Sequence, residues 1–315
     1  MKRIIYETYG DPEVLKIADF DIPQPQSDEV LVKVMAAGIN PVDYKIRNGS
    51  LKFIYRAKFP RTPGGEISGK VEKAGEGAKK FSPGDRVYSM LPPGIGGYSE
   101  YVNVKEDLLS VLPGSMPFNE GAAIPLAGLT SLQALRDKGE IKEGMEVLVN
   151  GGSGGVGMFA IQIAKAYNAK VTTVCSGKNV DFVKSFGADI VIDYEKDDFT
   201  QMGNTYDIIF DAVAKSGFSK CKKILKKNGI YITTLPSPGV MFRQIINPLL
   251  SKKSFAILTK PGGKDLDYFS ELIRQNKLIV SLEKVFNLED ANLAHKHIET
   301  GRTKGKLVIQ MEHRI

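Results

Sequence analysis

The stretch Asn150–Gly157, "NGGSGGVG", places five glycines in eight residues, between "EVLV" and "MFAIQIAKAYNAK". Glycine loses more conformational freedom on folding than any other residue. A cluster of it between two apolar segments marks a place where the bare backbone, not a side chain, is needed. Gly152-Ser153-Gly154-Gly155-Val156-Gly157 fits G-x-G-x-x-G, a weak signal by itself in a chain with 32 glycines. Its context is stronger: an apolar strand precedes it, and Val156, Ala160, Ile163, Ala164 and Tyr167 follow at the spacing of one buried helix face. In a strand–turn–helix of this kind the first glycine makes the tight turn and the second admits a pyrophosphate against the backbone. The third lets the helix pack on the strand. The free N–H groups and partial positive charge of the helix start would then face the phosphates. The plain alternative is a tight βα turn that binds nothing.

The following strand distinguishes the dinucleotides. An NAD site carries Asp or Glu about 20 residues on, bonding the ribose 2′-hydroxyl. Here the strand ends "VTTVCSGKN", with Ser176 and Lys178 and no carboxylate before Asp181. An acid would repel a 2′-phosphate, whereas a hydroxyl and an ammonium would hold one, so the cofactor expected is NADPH. Otherwise Ser176 and Lys178 are simple loop residues. A second phosphate motif fails: "GGEISGKV" has P-loop spacing, but Val71 stands where a magnesium-binding Ser or Thr is required, and Lys70 lies in a strand pattern.

Around this motif the texture divides the chain. "EVLVKVMAAGI" (Glu29–Ile39), "SGKVEKAG" and "GDRVYSM" read as short strands between Gly/Pro breakers. "NEGAAIPLAGLTSLQALRDKG" is helical, and strands then alternate with helices, including "FSKCKKILKKNG", which predicts a parallel sheet covered on both faces. After Pro261 come a helix, "DLDYFSELIRQNK", and a tail with one more helix and a closing strand, expected to return to the N-terminal region. The fold class read from this is α/β: a doubly wound parallel sheet over 123–261 and a β-rich domain from 1–122 and 262–315.

Composition excludes several classes. No run of about 18 uncharged apolar residues provides a membrane span, and no apolar run of signal-peptide length follows "MKRII". Two cysteines, Cys175 and Cys221, make no disulfide framework, so a reducing, cytoplasmic setting is expected. The net charge of +7 is dispersed in clusters such as Lys79–Lys80 and Lys222–Lys223, read as solvated surface with no nucleic-acid motif beside them. The three histidines, His295, His297 and His313, lie near the C-terminus away from any Cys, and His295 and His297 are read as helix-surface residues. No metal site is expected.

Taken together, "GDPEVLKI", "AAGINPVDYKIRNG", "PGGEISGKV", "FSPGDRVY", "GGYSEYV", "AAIPLAGLTSLQAL", "VLVNGGSGGVG", "FGADIVIDY" and "GRTKGKLVI" resemble the medium-chain dehydrogenase/reductase superfamily over nearly the whole chain. More narrowly they resemble its zinc-free quinone oxidoreductase and alkenal reductase branch. The resemblance implies a GroES-like catalytic domain beside a Rossmann domain. Asn40 and Gly65 stand where the alcohol dehydrogenases of the superfamily place zinc-binding Cys and His. Zinc needs three protein ligands of S, N or carboxylate type, so the implied chemistry is metal-free hydride transfer to a quinone or an α,β-unsaturated carbonyl. The match puts catalytic roles on Asn40, Tyr44 and Lys45. Asn40 and Asp43 beside Pro41 equally suit local Asx-turn bonds, and Tyr44 and Lys45 equally suit rim packing.

The match also implies that Thr130 adjoins the nicotinamide, that Tyr194 lies against the adenosine phosphate, and that main-chain groups from Leu235 onward meet the carboxamide. Helix capping at Thr130 and strand-end packing of Tyr194 are the alternatives. Phe53, Tyr55, Met241 and Phe242 are read as pocket walls or plain core. A homodimer is implied, paired through the last cofactor-domain strand near "SFAILTK", a segment that would also suit an internal strand. Two rival readings stand: an NADPH-binding sensor or scaffold with little turnover, since fold and cofactor do not fix function, and a salt-sensitive RNA binder.

Overall fold

The computed structural model describes residues 1–55 and 58–313. The chain divides into two compact units, one of Met1–Leu126 with the stretch from Pro261 onward, the other of Ala127–Lys260.

The Ala127–Lys260 unit is built on six parallel strands. Across the sheet they run Ile190–Asp193, Lys170–Cys175, Glu146–Asn150, Tyr206–Asp211, Leu225–Thr233 and Lys253–Ala256. A strand covered on both faces reads as an unbroken apolar run, which is why Val147, Leu148 and Val149 are all fully buried. From Glu146–Asn150 the chain winds outward one way, then returns to Tyr206–Asp211 and winds outward the other way. This doubly wound order leaves a crevice at the carboxyl ends of the two central strands, where open α/β sheets bind ligands. The glycine turn sits at that crevice. Lys253–Ala256 is the last strand of the described sheet, with Leu225–Thr233 paired to one side. On the other side Asn247 Oδ1 accepts the Ser254 N–H at 3.0 Å, Asn247 Nδ2 donates to the Ser254 carbonyl at 2.9 Å and Gln244 Oε1 accepts the Ala256 N–H at 3.3 Å.

In the other unit the eleven-residue strand Glu29–Ile39 is the hub. Along one side it pairs antiparallel with Glu66–Ala74. Its other side is shared: Tyr101–Lys105 pairs with the first half, and Lys306–Gln310 with the second, with Leu307 opposite Ile39. The C-terminal tail therefore closes the sheet begun by the N-terminal residues. Val30, Val32 and Val34 point into one apolar cluster with Leu307 and Ile309. The register shifts at Leu31/Val32 and Val34/Ala36 are the irregularities that bend and twist such a strand.

Two elements differ from the sequence reading. The helical stretch after Asn119 is broken into Phe118–Ala122, Pro125–Leu132 and a π-helical segment Gln133–Lys138. Pro125 supplies no N–H and pushes its predecessor out of the helical region. In "FSKCKKILKKNG" the α-helix covers only Phe218–Cys221, and the next strand already begins at Leu225. Tyr206 pairs with Leu225, and a register shift then brings Ile208 opposite Ile230, absorbing the extra residues.

The Gly263–Arg274 helix is tied to the sheet by Tyr88, whose buried hydroxyl donates to the Leu266 carbonyl at 2.7 Å and lies 2.9 Å from Ser270 Oγ. A buried acceptor that loses its donor destabilises by about 1–3 kcal/mol. Tyr88→Phe should therefore lower the urea-unfolding free energy by about 1–2 kcal/mol while leaving the native circular dichroism unchanged; an unaltered midpoint would show that this tie contributes nothing.

Candidate functional site

The glycine turn begins at Gly151, which adopts φ +90°, and the N–H groups of Gly151 and Gly152 donate to the Val174 carbonyl on the neighbouring strand. A side chain on Gly152 would collide with Thr173 Oγ1, and one on Gly157 would collide with the Gly151 carbonyl and Gly152 Cα. These two glycines let helix, turn and strand close on one another. Gly154 differs: an added Cβ would have no neighbour nearer than 3.7 Å. The fold leaves that position open. Gly154 is also the N-cap of the Gly155–Ala166 helix, with no side chain bonding the first turn. An uncapped helix start beside an open glycine is a cradle for an anion.

The other expected cofactor residues lie in the same unit, mostly along the same edge of its sheet. Ser176 and Lys178 follow the strand Lys170–Cys175, and Tyr194 follows Ile190–Asp193 and donates its N–H to the Cys175 carbonyl at 3.0 Å. Lys178 is exposed, and so is the Tyr194 ring at 61%. Ser176 is buried, its Oγ accepting from Asn179 Nδ2 at 3.2 Å. Leu235 is half exposed just past Thr233, with its N–H on Thr233 Oγ1. The Thr130 hydroxyl is buried against Thr259 Oγ1 at 2.7 Å, while its neighbour Ser131 donates to the Val156 carbonyl at the helix start.

Sequence reasoning missed the carboxylates of this edge. Asp211, fully buried, accepts from Asn150 Nδ2 at 2.9 Å, from the Tyr231 hydroxyl at 2.9 Å and from the Ser216 N–H at 2.8 Å. It fastens the ends of three strands. Asp193 lies under the Ser176–Lys178 loop, where any side chain on Gly177 would stand 2.5 Å from its Oδ2. The only local signal was an acid as the last residue of two apolar strands, Ile190–Asp193 and Tyr206–Asp211.

The Met1–Leu126 unit holds a second polar cluster. Asn40 ends the hub strand and caps the Pro41–Arg47 helix; its N–H donates to Asp43 Oδ2 at 2.8 Å. Its side chain is 3% exposed, with Nδ2 donating to Glu66 Oε1 at 2.6 Å and Oδ1 accepting from Lys306 Nζ at 2.6 Å. Lys306 also donates to Glu66 Oε1 at 2.7 Å, and Glu66 Oε2 accepts the Leu126 N–H at 2.6 Å. Burial, reinforced by Glu66, pushes the Asp43 carboxyl up to about 7 against the pull of the Asn40 N–H and Lys306. Burial and the neighbouring Asp43 and Glu66 also raise the buried Tyr98 phenol.

Tyr44 and Lys45 are half-buried on the same helix, and burial raises the Tyr44 phenol so that it keeps its proton. Asn40, Tyr44 and Lys45 are thus together, but the Asn40 amide is engaged with Glu66 and Lys306.

His295 corrects the surface reading: it is fully buried, on the helix face formed with Ala291, Ala294 and Ile298. Burial, with Arg47 beside it, pushes its pKa down to about 3. Arg47 is buried too, its Nη1 3.4 Å from His295 Nδ1 and its Nη2 paired with Glu299. His297 is partly buried, 3.5 Å from Glu283. Of the aromatic and Met residues weighed as pocket or core, three face solvent, Phe53 at 89%, Phe242 at 64% and Met241 at 53% exposed, and Tyr55 is partly buried.

Two family models match the chain, "Alcohol dehydrogenase GroES-like domain" over residues 26–114 and "Zinc-binding dehydrogenase" over residues 186–309. A chloroplastic quinone-oxidoreductase homolog of Spinacia oleracea is 34% identical, with 98% of each chain covered. A chloroplastic NADPH-dependent alkenal/one oxidoreductase of Arabidopsis thaliana is 32% identical over 98% of this chain and 79% of that protein. Among solved structures, the quinone oxidoreductase from Coxiella burnetii superposes with a TM-score of 0.89 at 33% identity, covering 99% of both chains. The second model's name raises zinc, and the residues do not fit it. Gly65 has no side chain, and the Asn40 amide is spent on Glu66 and Lys306. Among the described residues no three His, Cys, Asp or Glu side chains gather as a metal site.

An unfolded Asp titrates near 4, so between about pH 4 and about 7 the folded state holds a proton on Asp43 that the unfolded chain has released. Stability must fall as pH rises through that window and level off above it. Asp43→Asn removes the titration. The stability of the variant relative to the parent, from urea unfolding at a series of pH values, should rise by a few kcal/mol at most between about pH 4 and 7 and then stay flat. A difference independent of pH would mean that Asp43 does not titrate as a buried acid.

Proposed function

Since the chain belongs to the medium-chain dehydrogenase/reductase superfamily, in its quinone oxidoreductase and alkenal reductase branch, we propose that it is an NADPH-dependent, zinc-independent oxidoreductase acting on quinones or α,β-unsaturated carbonyls. The observation that carries this is the open Gly154 at an uncapped helix start, on the edge where Lys178 and Tyr194 are exposed and Ser176 lies buried. Bound NADPH would supply the hydride. Gly154 and the helix start would receive the pyrophosphate, Ser176 and Lys178 the 2′-phosphate, and Tyr194 the adenosine end. Thr130 and the main chain at Leu235 would hold the nicotinamide end.

The acceptor of such a reaction is already electrophilic at carbon, and negative charge gathers on its oxygen. Preorganised donors suffice to meet that charge. Asn40 would offer the amide N–H not used by Glu66, Tyr44 its phenol, and Lys45 its ammonium. Two copies would pair at the Lys253–Ala256 end of the sheet through apolar side chains, since Ile245 (77%), Leu249 (87%) and Leu258 (65%) are exposed there while Asn247 and Gln244 occupy the outward main-chain groups of Ser254 and Ala256.

Activity is tested by mixing the protein with NADPH and a panel of quinones and enones; loss of absorbance at 340 nm is expected, and none above background with any acceptor would overturn the reading. Gly154→Ala should melt like the parent yet bind NADPH at least tenfold more weakly, whereas Gly157→Ala should lower the melting temperature. Equal NADPH affinity in Gly154→Ala would remove the cradle. Lys178→Glu should raise the KM for NADPH about tenfold without raising that for NADH. Leu249→Asp should shift light-scattering mass from dimer to monomer, and a parent that is monomeric throughout would remove the pairing.

A further inference from the structure

Every polar atom of Asn40 except one hydrogen is accounted for. Its backbone N–H goes to Asp43 Oδ2, its carbonyl accepts the Asp43 N–H at 3.0 Å, its Oδ1 accepts from Lys306, and one Nδ2–H goes to Glu66. The second Nδ2–H has no partner among the described residues. An ammonium only donates and an ionised carboxylate only accepts. If the amide turned over, Nδ2 would face Lys306 and Oδ1 would face Glu66, converting two short bonds into two repulsions. The surroundings are built to keep these partners in place. Lys306 spends its donors on Asn40 Oδ1, Glu66 Oε1 and the Ile39 carbonyl at 3.1 Å, and both charged residues are almost wholly buried. Glu66 reaches over the hub strand because residue 38 is glycine: a side chain there would occupy the position of Glu66 Oε1.

We propose that the Lys306–Glu66 pair is a positioning device for Asn40, locking its amide in one orientation and polarising it so that the remaining N–H is presented as a strengthened donor to the acceptor oxygen. This rests on the reading of Asn40 as a donor in the reaction above. Polarisation follows from the chain of bonds: a cation at Oδ1 draws electron density through the amide and makes Nδ2–H a better donor, as linked hydrogen bonds in a dry setting do. Lys306 touches neither cofactor nor acceptor in this scheme. It acts through Asn40, from a strand 266 residues away in the chain.

The test compares Lys306→Met, Lys306→Arg, Asn40→Ala and the double variant Asn40→Ala/Lys306→Met in steady-state kinetics, with NADPH affinity followed by fluorescence. Lys306→Met should lower kcat about tenfold or more with NADPH affinity unchanged, Lys306→Arg should recover part of the loss, and the double variant should be no slower than Asn40→Ala alone. Because Lys306→Met leaves Glu66 buried and unpaired, Glu66→Gln/Lys306→Met, which removes both charges, is measured beside it and should show the same fall in kcat. Losses that multiply in the Asn40→Ala/Lys306→Met double variant, or full kcat in Glu66→Gln/Lys306→Met with a native melting curve, would overturn the positioning role alone. An Asn40→Ala variant with unchanged kcat would overturn the donor role of Asn40, and this inference with it.

Discussion

A carboxylate with no exposed surface has to be neutralised where it stands, and in the Met1–Leu126 unit that demand organises the polar interior. Glu66 meets it with Lys306 Nζ, Asn40 Nδ2 and the Leu126 N–H. These donors come from the C-terminal strand, the end of the hub strand and the segment that leaves the unit. Buried ion pairs add little net stability over well-packed apolar residues, but removing one partner strands a charge and costs several kcal/mol. The pair therefore acts mainly by excluding alternatives. Successive side chains of a strand face opposite ways, so a one-residue slip of Lys306–Gln310 along Glu29–Ile39 would turn Lys306 away from Glu66 and expose it to the wrong face. Leu307 opposite Ile39 is the register that satisfies the charge.

The two units solve their polar problems by opposite means. The glycine turn does without side chains, so that helix, turn and strand close on one another and Gly154 stands open; its supports, Asn150, Asp211, Tyr231 and Ser216, satisfy one another. Around Asn40 the side chains do the holding. The Pro41–Arg47 helix is anchored at its far end as well, where Arg47 meets Glu299 and His295. Arginine can only donate, so His295 Nδ1 accepts and the imidazole is neutral, in keeping with the depression of its pKa. A helix fixed at its cap and at its last turn carries Tyr44 and Lys45 between two fastened ends.

The features legible in the sequence were local ones. The glycine motif announces itself within eight residues, because the turn and the packing of helix on strand each demand a missing side chain at a fixed spacing. The parallel sheet followed from alternation, and the return of the tail from its closing apolar strand. What stayed hidden were partners far apart in the chain. Glu66 and Lys306 are 240 residues apart, and nothing in "GRTKGKLVI" distinguishes a buried lysine from a surface one. His295 is the instructive error. Ala291, Ala294 and Ile298 stand four, one and three residues from it, and that spacing places His295 on the apolar face of the helix. The periodicity was available, and the polarity of the residue type outweighed it. Pro125 was equally visible, and a strong apolar period on either side concealed the break it makes.

The donor set around Asn40 also bears on which acceptors suit the proposed reaction. A metal ion polarises a carbonyl with a full charge in direct contact, enough to act on bonds that are not otherwise activated. An amide N–H, even one backed by an ammonium at its oxygen, presents a partial charge. It can stabilise negative charge that is already delocalised, as in an enolate or a reduced quinone, far better than charge localised on a saturated alkoxide. The positive charge in this cluster is matched by Glu66 before any ligand arrives, so Lys306 contributes orientation and polarity rather than net attraction. A site of this kind favours acceptors whose own conjugation spreads the incoming electron pair, and it disfavours simple alcohols and ketones for the same electrostatic reason.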